Sequence, residues 1–104
     1  MICACGSANV GHENYIAKMA KDNGAELALI TPSNEGYLLS IADLTVNVPA
    51  AAYKATGDFV PTEQLMGNLF EQALFILYDV LVMMLREEMG ISKEEMVSRH
   101  RNVE

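Results

Sequence analysis

The chain has 104 residues, of which 51% are hydrophobic and only 20% are charged, and its formal net charge is −7. This length has room for one domain. The negative charge argues against nucleic acid or an anionic membrane as the main partner, because both repel an acidic protein. Since the composition is apolar for so small a domain, we expect part of its surface to pack against another subunit.

The first half of the sequence predicts alternating strands and helices. Residues 2–5 are predicted to form a buried strand, residues 11–23 a helix and residues 26–31 a second strand. A short helix over residues 35–41 and a third strand over residues 44–48 follow. The order β-α-β-α-β with short connections is typical of a parallel sheet that is covered by helices.

The second half predicts a long loop and two helices. Residues 49–66 are the longest irregular stretch, and a loop of that length is more often functional or poorly ordered than a plain connector. A long apolar helix then begins near Asn68, which with Glu71 has the spacing of a capping box. Ser92 and Glu95 have the same spacing, which predicts a short last helix.

Several features favour a soluble, cytoplasmic protein. Cys3 and Cys5 stand too close together on one strand for a disulfide framework, so reduced thiols are predicted. Residues 1–8 lack the basic and apolar regions of a signal peptide. The apolar run over residues 73–85 is interrupted by Asp79 and is shorter than a bilayer-spanning helix.

The turn after the first strand is a candidate anion site. Gly6, Ser7 and Asn9 lie between the end of a strand and the start of a helix. Free backbone N–H groups and the helix dipole favour an anion at such a place, and Ser7 adds a hydroxyl donor. The spacing is neither that of a P-loop nor that of a dinucleotide-binding turn. Phosphate binding is therefore one hypothesis, and an ordinary connecting turn is the other.

Two titratable side chains in the second half have both a structural and a functional interpretation. Glu71 either caps its helix or acts as a general base whose pKa is raised by the apolar surroundings. His100, between Arg99 and Arg101, is either a solvated side chain or a functional one. Neither His12 nor His100 stands at metal-ligand spacing from a cysteine or carboxylate, so no metal site is expected.

Together these segments resemble the C-terminal part of the sugar isomerase (SIS) domain family, and within it the 6-phospho-3-hexuloisomerases. The segment CGSANV, at residues 5–10, stands where that family has a phosphate loop similar to Ser-Gly-Ser-Gly-Glu-Thr. The long helix and the tail of the family are similar to GNLFEQALFILYDVLVMMLREEMGIS and to SRHRNVE. The tail is the specific part of the match, because an α/β pattern alone does not separate this family from flavodoxin-like modules.

The resemblance implies an α/β fold, a three-layer α-β-α parallel sheet of SIS type, here shortened to about three strands. It implies interconversion of 3-hexulose 6-phosphate and fructose 6-phosphate through an enediol(ate), with no metal or organic cofactor. Glu71 matches the proposed base, His100 matches a tail histidine that assists with ring or proton handling, and Ser7 matches a phosphate-loop serine. The implied partners are a phosphorylated sugar and further copies of the chain, as a dimer or tetramer formed through the long helix.

The sequence also departs from the family pattern. Cys5, Ala8 and Val10 replace the first serine, the second glycine and the threonine of the phosphate loop, so two hydroxyl donors are missing. The N-terminal half of the family is not matched either, and residues 1–104 are therefore expected to form a single, N-terminally truncated domain. The alternative function is that of a remnant that binds sugar phosphate or oligomerises without catalysis.

Overall fold

The structure is a computed structural model, and it describes residues 1–100. Its elements are β1 (Ile2–Ala4), α1 (Gly11–Asp22), β2 (Ala28–Thr31), α2 (Tyr37–Ile41), β3 (Leu44–Asn47), α3 (Asn68–Glu88) and α4 (Lys93–Arg99). Every element lies within two residues of its prediction. The chain forms two compact units, Met1–Leu74 and a second one that begins at Phe75 within α3.

The first unit is built on a parallel sheet with the strand order β1-β2-β3. Cys3 pairs with Leu29, and Leu29 pairs with Thr45, so the three residues lie in one row across the sheet. Each crossover between neighbouring strands contains one helix, α1 and then α2. The predicted α/β fold with about three parallel strands is therefore confirmed.

Both crossover helices cover the same face of the sheet. Right-handed crossovers that advance in one direction place their helices on one side. Accordingly, Ala17 of α1 and Leu38 of α2 join Cys3 and Leu29 of the sheet in a single buried cluster. Burying a leucine side chain of this kind stabilises the fold by about 1.5–3 kcal/mol.

The opposite face of the sheet is apolar but only partly covered within the first unit. Ile30, at the centre of β2, is buried. Ile2, Leu44 and Val46 occupy the two flanking strands on that face and are exposed. Parallel sheets are usually covered on both faces.

The N-terminus of α3 differs from its prediction by one residue. The first helical hydrogen bond runs from the Glu71 N–H to the Gly67 carbonyl, at 2.8 Å. Gly67 is therefore the N-cap, and Asn68 is the first helical residue. The predicted Asn68–Glu71 capping box is wrong for this reason, because its two members are shifted out of the N-cap and N3 positions.

In the second unit, the predicted start of α4 is confirmed. Ser92 is the N-cap, and its side chain accepts a hydrogen bond from the Glu95 N–H at 3.0 Å. The part of α3 that belongs to this unit carries many exposed apolar side chains, among them Phe75 and Met83. They mark a surface that is suited to a partner.

The full length of α3 changes one prediction. The helix Asn68–Glu88 has 21 residues and is long and apolar enough to cross a membrane by length and composition alone. The predicted exclusion rested on the shorter run over residues 73–85 and does not hold for the whole helix. This test has little weight by itself, because core and interface helices of soluble proteins pass it as well.

Candidate functional site

The turn between β1 and α1 is a tight backbone turn. The Ala8 N–H donates to the Cys5 carbonyl at 3.3 Å, and Ala8 itself has a φ of 52°, in the left-handed region. Within residues 1–100, the N–H groups of Gly6 and Ser7 have no acceptor. A turn with two free N–H groups before a helix N-terminus suits an anionic ligand.

Gly6 allows the long loop to approach this turn closely. A Cβ atom at Gly6 would lie 2.7 Å from the Cβ of Ala52, far inside van der Waals contact. The loop over residues 49–66 therefore packs against this turn, and some of its residues line the two clefts described below.

Ser33, just beyond β2, joins the turn to the loop. Its hydroxyl donates to the Gly6 carbonyl at 2.9 Å and accepts from the Thr56 N–H at 3.2 Å. The Ser33 side chain is buried, and the Asn34 N–H adds a second bond to the loop through the Thr56 carbonyl at 2.8 Å. Buried hydrogen bonds of this kind hold both segments in place, because breaking them leaves polar groups unsatisfied.

One cleft brings the predicted base and the predicted phosphate turn together. We call it the carboxylate cleft, and its volume is about 350 Å³. It is lined by Ala4, Cys5, Gly6, Ser7, Val10, Glu13, Ala52, Tyr53, Met66, Gly67, Phe70, Glu71 and Leu74. All of these residues belong to the first unit. The volume is within the range of small-molecule sites.

Glu71 reaches this cleft from the first turn of α3. Its side chain is exposed. The expectation of a carboxylate desolvated by an apolar helix is therefore wrong for the isolated chain. Among residues 68–74 only the Phe70 side chain is buried, and Phe70 and Glu71 both line the cleft.

The carboxylate cleft contains a second acid, Glu13, which the sequence analysis did not select. Burial, followed by interaction of the thiol with the nearby Glu13 carboxylate, raises the pKa of Cys5 to about 11. Glu13 Oε2 is buried and has no hydrogen-bond partner within residues 1–100.

The raised pKa predicts unreactive thiols. A thiol reacts as its thiolate, so Cys5 should be alkylated at pH 8 at least about tenfold more slowly than a free cysteine, whose pKa is near 8.5. Glu13→Gln removes the negative charge and should speed the alkylation of Cys5. Mass spectrometry of the iodoacetamide-treated native chain measures both rates. Equal rates for the native and the urea-unfolded chain would contradict the prediction.

The same pKa predicts a loss of stability in alkali. Because the pKa of Cys5 is raised in the folded state, the folded chain holds its proton more tightly than the unfolded chain does. The stability should therefore be constant below the pKa of an unfolded cysteine and should fall as the pH rises toward about 11.

A second cleft shares Ser7 with the carboxylate cleft. We call it the lysine cleft; its volume is about 250 Å³, and it is lined by Ser7, Asn9, Glu35, Gly36, Lys54 and Thr56. The predicted phosphate-binding residue Asn9 lines this cleft and not the first one. The Asn9 N–H donates to Ser7 Oγ at 3.3 Å, and its Oδ1 accepts from Asn14 Nδ2 at 2.9 Å. Ser7 is common to both clefts.

His100 belongs to the second unit. It is exposed, it caps the C-terminus of α4, and its N–H donates to the Val97 carbonyl at 3.1 Å. Together with Lys93, Met96 and Val97 it lines a larger hollow of about 560 Å³. This hollow contains no residue of the phosphate turn. The rest of the predicted tail, residues 101–104, lies outside the described residues.

Of the residues predicted from the sequence, Gly6, Ser7 and Glu71 line the carboxylate cleft, and Asn9 lines the lysine cleft. Glu13, Ser33 and Lys54 were missed. The missed residues have no motif of their own, and they join the site only through contacts between distant segments. The one available signal was the length of the loop over residues 49–66, which contains Lys54.

The whole chain is similar to two named enzymes. It is 31% identical over 104 residues to a 3-hexulose-6-phosphate isomerase of Bacillus subtilis (strain 168) and covers 56% of that protein. It is 32% identical over 104 residues to a 3-hexulose-6-phosphate isomerase of Mycobacterium gastri and covers 52% of it. The chain therefore spans about half the length of these curated relatives. No family model matches the chain.

A solved structure shares the fold. It is a crystal structure of a hypothetical protein, with a TM-score of 0.72 and 20% sequence identity, and the match covers 98% of this chain and 54% of the other. The predicted resemblance to 6-phospho-3-hexuloisomerases of the sugar isomerase family is confirmed by the two named relatives. The α/β fold is confirmed by the structural match.

Proposed function

Because the chain is homologous over its full length to half of each 3-hexulose-6-phosphate isomerase, we propose that it functions as a phosphosugar isomerase. Its proposed reaction interconverts 3-hexulose 6-phosphate and fructose 6-phosphate. The observation that carries this proposal is the carboxylate cleft. There Glu71, a candidate base, lines the same small cavity as Gly6 and Ser7, which offer free N–H groups and a hydroxyl.

The proposed chemistry moves one proton between neighbouring carbons. Glu71 takes the proton from C2 of 3-hexulose 6-phosphate, and the C3 carbonyl oxygen gains a proton as the 2,3-enediol(ate) forms. Glu71 then returns its proton to C3 while the C2 hydroxyl loses its own, which leaves the carbonyl of fructose 6-phosphate at C2. The reaction has no net oxidation and calls for no organic cofactor. A positioned base of this kind contributes about 10²–10⁴-fold to the rate.

The phosphate is the proposed anchor of the substrate. The turn offers the Gly6 and Ser7 N–H groups and the Ser7 hydroxyl, with Asn9 beside them in the lysine cleft. Backbone donors and the α1 N-terminus bind a phosphate without any of the missing hydroxyl groups. This supports binding even though Cys5 and Val10 replace hydroxyl-bearing residues of the family.

His100 is proposed to contribute to the site of a second copy of the chain. We assign it the proposed role of assisting ring opening or proton handling at a neighbouring subunit. Its exposed position at the end of α4 leaves the imidazole accessible to another copy. The chain is proposed to be soluble and cytoplasmic, as the names of its relatives favour a metabolic enzyme over a membrane protein.

A second copy of the chain is also the proposed partner of α3. Phe75 and Met83 are 77% and 69% exposed, which is unfavourable for apolar side chains in water. We expect the chain to be a dimer or tetramer and Phe75→Glu with Met83→Glu to shift it to the monomer. Light scattering after size-exclusion chromatography measures the mass. The matched control, Glu87→Gln with Glu88→Gln, should keep the oligomer, and a monomeric native chain would contradict the expectation.

The second candidate function is a remnant that binds sugar phosphate, or oligomerises, without turnover. Two observations favour it: the chain spans about half of its named relatives, and Glu71 is exposed rather than desolvated.

An assay of the purified full chain separates the two candidates. The isomerase proposal predicts formation of fructose 6-phosphate from 3-hexulose 6-phosphate, measured by an enzyme-coupled assay. A rise in melting temperature on addition of fructose 6-phosphate, without any turnover, would favour the binding remnant. The absence of both would exclude isomerase activity and sugar-phosphate binding, and it would leave the oligomerising remnant.

A further inference from the structure

We propose that Lys54 is the cationic residue that binds the phosphate of the substrate, and that the phosphate therefore sits in the lysine cleft beside Ser7. The inference deepens the proposed function and rests on it. It divides the site into two parts. The phosphate occupies the side of Ser7 that faces Lys54, and the reacting carbons occupy the side that faces Glu71.

The electrostatics of the carboxylate cleft argue against a phosphate placed beside its two carboxylates. Glu13 and Glu71 both line that cleft, and a phosphate dianion placed between them would be repelled by both. The formal net charge of −7 adds a general repulsion of anions. A sugar hydroxyl group, in contrast, can donate a hydrogen bond to the exposed Glu71 carboxylate.

The lysine cleft has the cation that the carboxylate cleft lacks. Lys54 lines it together with the donors Ser7, Asn9 and Thr56. A lysine ammonium and hydroxyl or amide donors around a small cavity form a site for a phosphate group. The cleft is also lined by the exposed residue Glu35, so Lys54 must offset one negative charge in the same cleft.

The position of Lys54 links the two clefts. Its Nζ lies 5.2 Å from the centre of the Tyr53 ring, which is within the range of a cation–π contact. Tyr53 lines the carboxylate cleft, and Lys54 lines the lysine cleft. Consecutive residues of the loop thus contribute to one cleft each, with Ser7 between the two clefts.

The backbone holds Lys54 in an uncommon conformation. Its φ is 60°, in the left-handed region, and the Ala55 N–H closes a turn around it by bonding to the Ala52 carbonyl at 3.1 Å. Thr56, two residues after Lys54, donates its N–H to the hydroxyl of buried Ser33. A non-glycine residue in this region costs on the order of 1–3 kcal/mol and persists only where surrounding contacts hold it.

This arrangement fits the proposed substrate. The phosphate at C6 and the reacting carbons C2 and C3 are separated by several bonds, so the two groups need separate but adjoining subsites. The lysine cleft and the carboxylate cleft adjoin at Ser7, which can bond to the ligand from either side. Glu71 then lies on the side of the carbons that exchange the proton.

The test compares ligands with and without phosphate. Isothermal titration calorimetry of the full chain should show binding of inorganic phosphate and fructose 6-phosphate. Lys54→Met should weaken both by about 10-fold or more, because a charge-assisted bond is lost. Lys54→Arg should restore most of the affinity. The matched control, Lys18→Met, removes the same charge from the surface of α1, where Lys18 pairs with Asp22, and should bind as the native chain does.

The outcomes separate the two proposals. Equal phosphate affinity in Lys54→Met and the native chain, or weakening of the same size in Lys18→Met, would overturn the role of Lys54. Neither result would bear on the isomerase proposal. A native chain that binds no phosphate would overturn the inference as well. Phosphate binding that depends on Lys54 in a chain without turnover would support the inference and contradict the isomerase proposal. The melting temperature of Lys54→Met should equal that of the native chain, since Lys54 is exposed.

Discussion

Glu71→Gln is expected to lower kcat for the isomerisation of 3-hexulose 6-phosphate by about 10²–10⁴-fold, which is the range for loss of a general base. The amide keeps the size and shape of the side chain but accepts no proton from C2. Binding of fructose 6-phosphate should change little, because the phosphate contacts are made by other residues. The kinetics should therefore show a fall in kcat with KM nearly unchanged.

The stability of this variant should match that of the native chain. The Glu71 side chain is exposed, and the N-terminus of α3 is closed through its main chain, by the bond from the Glu71 N–H to the Gly67 carbonyl. Glu63→Gln is the matched control, because Glu63 is an exposed acid of the first unit that lines neither cleft. Turnover by Glu71→Gln within a few-fold of the control would remove Glu71 from the mechanism.

Gly36→Ala should produce the largest loss of stability among simple substitutions near the site. Gly36 has a φ of 140°, and a Cβ atom there would lie 2.5 Å from the Ala8 carbonyl oxygen. Backbone strain and steric overlap each cost about 1–3 kcal/mol, so we expect a loss of about 3 kcal/mol or more in the free energy of unfolding. Urea unfolding followed by circular dichroism measures it.

The loss should extend to the phosphate site. The Ala8 carbonyl that the new methyl group would displace accepts the Leu38 N–H at 2.9 Å, and Ala8 closes the turn that carries Ser7. The folded fraction of Gly36→Ala should therefore bind phosphate more weakly. Gly11→Ala is the control, because a Cβ atom there meets nothing within 4 Å and its φ lies outside the strained region. Equal stability of the two variants would contradict this account of the turn.

The fold could be predicted because its signals are local. Alternating short apolar strands and helices, with Pro49 after the third strand, define the β-α-β order without any knowledge of tertiary contacts. The N-cap of α3 was predicted less accurately. Asn68 is the stronger capping residue by type, but the chain uses Gly67. There, the preceding residue Met66, with a φ of 59°, sets where the helix begins.

The site was only partly predictable, for a physical reason. Ser7 and Glu71 could be selected because each occupies a recognisable local position, in a strand-to-helix turn or at a helix start. Lys54 and Glu13 carry no such mark. Lys54 reaches the site because Ser33 is hydrogen-bonded both to Gly6, 27 positions before it, and to Thr56, 23 positions after it. The exposure of Glu71 also depends on tertiary structure, so it could not be predicted from the apolar residues that follow it in the sequence.

Equilibration of the two sugar phosphates by the purified full chain is the most direct test of the central claim. The reaction is started separately from 3-hexulose 6-phosphate and from fructose 6-phosphate, and both are followed by ¹³C NMR. An isomerase brings both samples to the same ratio, at a rate proportional to chain concentration and strongly reduced by Glu71→Gln. If neither sample changes faster than the buffer control, the chain is not the isomerase that its cleft and its relatives lead us to propose.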